Sequence, residues 1–148
     1  MKGRIDMSNV LGFLNIHVEE AVNYWISTYY VESEEYQKRK YIPGYMEAHR
    51  NESILLCKHA LANLDAVPNS VEIGEDRFDM ETSLEDIVSN HTSFYTAIIE
   101  FLFIHYLKGS LDCTKEDLFE TILKFRKMEG ISLQGLISGY AAKGAHMS

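Results

Sequence analysis

Cysteine and proline are both scarce in this 148-residue chain, with two of each. Cys57 and Cys113 are too few for a disulfide scaffold, and their spacing matches no zinc or redox motif. Prolines at positions 43 and 68 alone leave long stretches free of the residue that most often stops a helix. Basic charge is short as well. Fourteen Lys and Arg face 22 Asp and Glu, for a net charge of −8, and Lys38-Arg39-Lys40 is the densest basic run. That balance argues against a nucleic-acid backbone as partner. No apolar segment follows the opening MKGRIDMSNV, so no signal peptide is expected. The most apolar run, 101–107 with Ile98 and Ile99 before it, is too short and too polar-flanked for a membrane span. A reducing cytoplasm is the expected location. Catalytic motifs are missing too: there is no GxSxG, no glycine-rich phosphate loop, no HExxH and no CxxC pair. The six histidines (17, 49, 59, 91, 105 and 146) show no i,i+4 metal-type pair on one helix. No catalytic or metal-binding residue is therefore assigned, and the chain reads as a binding protein rather than an enzyme.

What the sequence does have is helical periodicity within a length that suits one domain, 1–148, with a real core. Leu11, Leu14, Val18, Ala21, Val22, Trp25 and Tyr29 recur at helical spacing and predict a first helix over 8–30, with Ser8 as N-cap. Ser33-Glu34-Glu35 opens a short charged helix that ends near Tyr41, and Ile42-Pro43-Gly44 breaks the chain. A further helix runs from Tyr45 to about position 65. Residues 66–81 hold Pro68, Asn69, Gly74 and five acids, which predicts a surface loop with a short extended piece at 71–73. Ser83 to Asp86 resembles a helix start. The helix it opens reaches Leu107, jointed near Asn90-His91, and Gly109 ends it. Thr114 caps the next helix, Gly130 breaks it, and Ser132 starts a last one to about 143. The fold class is all-α, with six or seven helices.

Two arginines fall inside apolar helix faces. At about 100° per residue, Met46, Ser53, Cys57, Ala60, Leu61 and Leu64 share one side of their helix, and Arg50 lies among them. Leu118, Phe119, Ile122 and Phe125 form a second stripe that contains Arg126. A guanidinium stays charged, so burial requires an anion from the chain or from a ligand. Glu100, on an apolar helix between Ile99 and Phe101, is the internal candidate. His49, Tyr45 and Ser53 lie beside Arg50 and would complete a polar chamber next to a greasy channel, an arrangement that suits a fatty-acid head group and tail. The tail supplies about 0.8 kcal/mol per buried CH₂, and the arginine selects for the acid. Each arginine also has the plainer reading of an internal ion pair or a stem reaching to water.

The segment Phe125-Arg126-Lys127-Met128-Glu129-Gly130-Ile131-Ser132-Leu133 resembles the arginine–x–x–x–glycine–x–serine segment of non-haem globin sensor domains of stress-response and sporulation regulators. The opening helix, with Ile16 and Trp25 on its inner side, fits the same pattern. The nearest family is the sensor domain of sporulation histidine kinases, which includes free-standing, plasmid-encoded copies that inhibit sporulation and have about this length. The resemblance implies a dimeric globin-like fold without haem. It also implies a hydrophobic tunnel filled by a fatty acid, whose carboxylate meets an arginine and a chloride ion. Such a domain would act by titrating the signal of a sensor histidine kinase or by pairing with the kinase. Arg126 matches by motif, whereas Arg50 is chosen as ligand arginine on face geometry alone.

Two other readings compete. A haem-binding globin that senses gas or redox state would use His91, at the start of the most apolar helix, as its ligand. A pure protein-interaction module would pair its arginines internally and could use 98–107 as a helix–helix dimer face. His105, between Ile104 and Tyr106, reads as a core or interface histidine.

Overall fold

The computed structural model describes residues 6–64 and 70–147. Seven α-helices account for most of them, and no strand occurs among the described residues. In chain order these are α1 (Ser8–Ile16), α2 (Val18–Thr28), α3 (Glu34–Arg39), α4 (Tyr45–Ala62), α5 (Ser70–Asp79), α6 (Leu84–Lys108) and α7 (Lys115–Met147). A 3₁₀ turn, Tyr30–Glu32, joins α2 to α3.

Short polar side chains set most of the helix starts. Ser33 accepts the Tyr36 backbone N–H at 3.1 Å, and Ser83 accepts that of Asp86 at 3.1 Å. Thr114 Oγ1 accepts the Asp117 N–H at 3.0 Å, and Asp117 Oδ2 lies 3.5 Å from the Thr114 N–H, a reciprocal capping arrangement. Ser8 proves to be the first helical residue rather than the cap, and its N–H donates to Asp6 Oδ1 at 2.8 Å. Gly44 and Gly109 both take the left-handed backbone, φ +78° and +81°, that glycine adopts without penalty. The expected helix over 8–30 is divided at His17, whose φ of −105° and ψ of 23° turn α1 into α2.

Three further expectations fail. Residues 70–79 form helix α5 rather than a loop with an extended piece, while 65–69, including Pro68 and Asn69, lie outside the described residues. Gly74 is not a breaker there. A Cβ at this position would meet the Leu136 carbonyl oxygen at 2.1 Å, so glycine serves the close crossing of α5 on α7. Gly135 and Gly139 serve the same crossing from the other side, where added carbons would meet Ser70 Oγ at 1.9 Å and Val71 O at 2.0 Å. Nor does Gly130 break a helix. It sits inside the 33-residue α7, about 50 Å long at 1.5 Å per residue, because packing outweighs the ~1 kcal/mol helix cost of one glycine. Lastly, α6 runs through Asn90-His91 without a joint.

The core joins α1 and α2 (Val10, Leu14, Val18, Ala21, Val22) to α6 (Ile98, Phe101, Leu102), α7 (Leu118, Phe125, Met128) and Cys57 of α4. By length and mean hydropathy (1.2), α6 is long and apolar enough to cross a membrane. It nevertheless offers polar groups to its neighbours, Asp86 to α3, Ser93 to Trp25, and Glu100 to Tyr29.

Candidate functional site

The site is built around Glu35, a carboxylate only 4% exposed. Its position follows from two caps on α3. Ser33 caps from within, and Asp86 reaches across from α6 to accept the backbone N–H groups of Glu34 (3.1 Å) and Glu35 (2.8 Å). A carboxylate at a helix N-terminus is favoured by both the free N–H groups and the dipole. Thus anchored, Glu35 Oε1 accepts the hydroxyls of Tyr45 (2.7 Å) and Tyr30 (2.8 Å), which lie 2.6 Å from each other. Arg39 Nη1 stands 3.5 Å from Oε1, Arg77 Nε 3.7 Å from Oε2, and His49 Nε2 3.9 Å from Oε1. Arg39 is also tied to the Met80 carbonyl (2.5 Å) and Thr82 Oγ1 (3.1 Å), which fastens α3 to the turn after α5.

Burial alone would push the Glu35 carboxyl up, but the Arg77 guanidinium and the Tyr45 and Tyr30 hydroxyls outweigh it and hold its pKa below the usual range. Glu35 is therefore ionised at neutral pH. Burial lowers His49 to about 4 against the pull of Glu35, so this imidazole is neutral. Burial likewise raises the Tyr30 phenol, which stays a donor. Two guanidiniums, Arg39 and Arg77, thus stand within 4 Å of the Glu35 carboxylate, and the buried Asp86 carboxylate holds the backbone N–H of the same residue. Arg77 comes no closer to Glu35 than 3.7 Å, beyond good hydrogen-bond range, so its guanidinium keeps donors that suit an anion.

A cavity of about 210 Å³ opens beside the cluster. Glu35, His49 and Arg77 form one part of its wall together with Trp25 and Tyr30. Leu56, Cys57 and Ala60 of α4, Ile73 of α5, Ile87, Phe94 and Tyr95 of α6, and Met128 and Leu136 of α7 make the greater part apolar. Ser53, Ser70, Asn90, His91 and Ser132 add isolated polar groups. The volume exceeds the ~150 Å³ that holds benzene in an engineered cavity. An apolar wall with a few convergent polar groups is the usual form of a small-molecule site. Among the described residues no group of three or more His, Cys, Asp or Glu is placed to hold a metal ion.

The sequence-derived residues separate into two groups. His49 (8% exposed) and Ser53 line the cavity, and Tyr45 stands behind them on Glu35. Arg50 and Arg126 do not join them, which corrects the expectation of buried guanidiniums: both are exposed. On α4, His49 and Arg50 compete for the same inner turn, and the imidazole, which can be neutral, takes it. On α7 the buried stripe is Leu118, Thr121, Phe125, Met128 and Ser132, with Arg126 beside it and bonded to Glu129 Oε1 at 2.9 Å. Glu100 pairs with neither arginine and accepts the Tyr29 hydroxyl. That bond is the first cause of a Tyr29 pKa near 12.

His91 lines the cavity, but its Nε2 lies 3.0 Å from the Glu129 carbonyl. A carbonyl only accepts, so Nε2 carries the proton. Burial lowers the His91 pKa. His105 packs in a ring cluster with Phe13 and Phe101 at 5.1 and 4.5 Å.

Sequence reasoning missed Glu35, Arg39 and Arg77. The trace of Arg77 was present in Ser70, Ile73 and Arg77, at i, i+3 and i+7, which all reach the cavity once α5 is helical. Glu35 and Arg39 carried no such trace, since a short helix rich in both charges reads as solvated. Compared with protein-family models, curated proteins and solved structures, the chain matches none.

Proposed function

We propose that this protein is a signal-sensing domain of globin-like helical arrangement that binds a fatty acid in the cavity between α4, α5, α6 and α7. The observation that carries the reading is the Arg77 guanidinium of the Glu35–Arg39–Arg77–His49 cluster, set in the wall of an apolar cavity with donors that Glu35 does not take. Arg77 takes the place first given to Arg50. It lines the cavity, and its contacts, Glu35 Oε2 at 3.7 Å from Nε and Met80 Sδ at 3.6 Å from Nη1, are weak ones, so it keeps donors to offer a carboxylate. The cluster would serve a chloride ion beside the ligand by the same electrostatics. The alkyl tail would lie along Leu56, Ile73, Phe94 and Leu136.

The remaining parts of the reading rest on the resemblance of the 125–133 segment. They are a cytoplasmic location, a role in restraining sporulation, and action on a sensor histidine kinase by taking up its signal or pairing with it. Pairing, with a second copy or with a kinase sensor domain, has support on the surface. Phe103 and Leu107 of α6 and Phe119 and Leu123 of α7 are 44%, 81%, 60% and 40% exposed, an apolar patch of the kind that marks interaction faces.

Native mass spectrometry of the freshly purified protein, followed by denaturation and lipid extraction, tests the proposal. The expected result is a species of dimer mass that releases a long-chain carboxylic acid. A mass increment matching haem would replace this reading with the haem-globin one. A bare polypeptide that also takes up no added acid would leave the interaction module.

A further inference from the structure

The cavity has a buried, charged end and an open one. On α4 its lining follows one stripe, His49, Ser53, Leu56, Cys57 and Ala60, at i, i+4, i+7, i+8 and i+11, so it runs lengthwise along this helix. Arg77 stands at the His49 end, because the same Glu35 carboxylate lies 3.7 Å from Arg77 Nε and 3.9 Å from His49 Nε2. Rings close that end. Trp25, 5% exposed, lies 5.8 Å from the His49 ring and 5.1 Å from that of the fully buried Tyr30. Among the described residues that line the cavity, the exposed ones are Leu56 and His59, one turn apart and seven to ten positions along α4 from His49. That stretch of helix measures about 10–15 Å. Extended single-bonded chains advance about 3.3–3.6 Å per three bonds, so the distance takes about 8–12 carbon–carbon bonds. The volume agrees: a ~150 Å³ cavity holds the six carbons of benzene, and on that scale the 210 Å³ here hold about eight.

Resting on the acid-binding reading, we infer that the acid binds carboxylate inward, lies along α4, and leaves the cavity at Leu56 and His59. The protein then reads the carboxylate and about the first 8–12 carbons, and whatever follows stays in water. The ligand class is the free carboxylic acids with an unrestricted far end. Tails longer than the cavity belong to it, and so do tails that end in a bulky or polar group. Acyl chains whose carboxyl is joined to a carrier, as in a thioester or a phospholipid, do not. They lack the charge that Arg77 takes, and the carrier would have to fit among Trp25, Tyr30 and His49.

Two measurements on the wild-type protein test this, and neither needs a substitution. The first is a calorimetric series of saturated acids from hexanoate to hexadecanoate, kept below their micellar range, with methyl decanoate beside decanoate. Affinity should rise about fourfold for each enclosed CH₂ and level off beyond about twelve carbons. The methyl ester should bind at least about tenfold more weakly than the acid. The second uses 16-doxylstearate, whose nitroxide sits near the end of the tail. Trp25, the sole tryptophan of the chain, marks the buried end, so a nitroxide brought there would quench it. The probe should compete with decanoate, leave Trp25 as bright as stearate does, and be reduced by ascorbate about as fast as when free. A rise in affinity that continues unbroken to hexadecanoate would overturn the inference while leaving acid binding intact. So would a bound nitroxide that quenches Trp25 and resists ascorbate, or a probe that fails to bind where stearate binds. Binding of no acid in the series, or equal binding of decanoate and its ester, would overturn the inference together with the acid-binding reading.

Discussion

At the scale of single residues, the molecule shows how a helical surface decides which polar group to bury. Position 49 or 50 had to face inward on α4, and the structure buries the imidazole and leaves the guanidinium in water. This choice has a pH signature. His49 falls from its ordinary 6.5 to about 4 on folding because burial penalises its charged form. Between those values the unfolded chain binds more protons than the folded one, so stability rises with pH. It is fully present above about 6.5 and lost progressively as pH falls towards 4. For a shift of this size the loss is about 3 kcal/mol. His91, also lowered by burial, acts in the same sense, and Glu129, raised by burial, acts in the opposite sense over part of the window. The informative quantity is thus the difference between wild type and His49→Phe. Urea midpoints at pH 7, 5.5 and 4.5 should fall more steeply for the wild type. Parallel curves would show that His49 is not a buried neutral base.

At the scale of elements, the caps were legible and the glycines misled. Ser33, Ser83 and Thr114 announce helix starts by the chemistry they then perform, and Gly44 and Gly109 occupy left-handed positions that end or begin a helix. Gly74 and Gly130 look the same in a sequence but do something else. One permits a close crossing; the other is simply tolerated in a long helix. No one-dimensional pattern separates these roles, because the difference lies in what stands opposite: backbone 2.1 Å from an added carbon at Gly74, and nothing within 4 Å at Gly130. The loss of α5 from the sequence reading then cost the site, since Arg77 and Ile73 reach the cavity only from a helix. The contrast gives a test by thermal unfolding. Gly74→Ala should destabilise by about 1–3 kcal/mol, as overpacking does, and widen the cavity mouth. Gly130→Ala should stabilise by up to about 1 kcal/mol from helix propensity alone. The opposite order would mean that α5 does not pack on α7 as described.

At the scale of the whole molecule, composition and periodicity were enough for an all-α chain, whereas the two arginines expected inside apolar faces lie exposed. What the sequence could not supply was the pairing of distant segments. Glu35 and Arg77 lie 42 positions apart, and Arg39 is fastened to the turn at Met80 and Thr82. The chain therefore closes α3 and α5 around one carboxylate, and the Arg77 donors that this closure leaves free are the reason for proposing an acid in the cavity. The most direct measurement is a calorimetric titration of decanoate against the wild type, Arg77→Ala and Arg50→Ala. A charge-assisted bond of about 1.5–3 kcal/mol predicts a loss of roughly 10- to 150-fold in affinity for Arg77→Ala. Arg50→Ala, altering an exposed side chain, should bind as the wild type does. Unchanged binding in Arg77→Ala, or a loss confined to Arg50→Ala, would contradict the account.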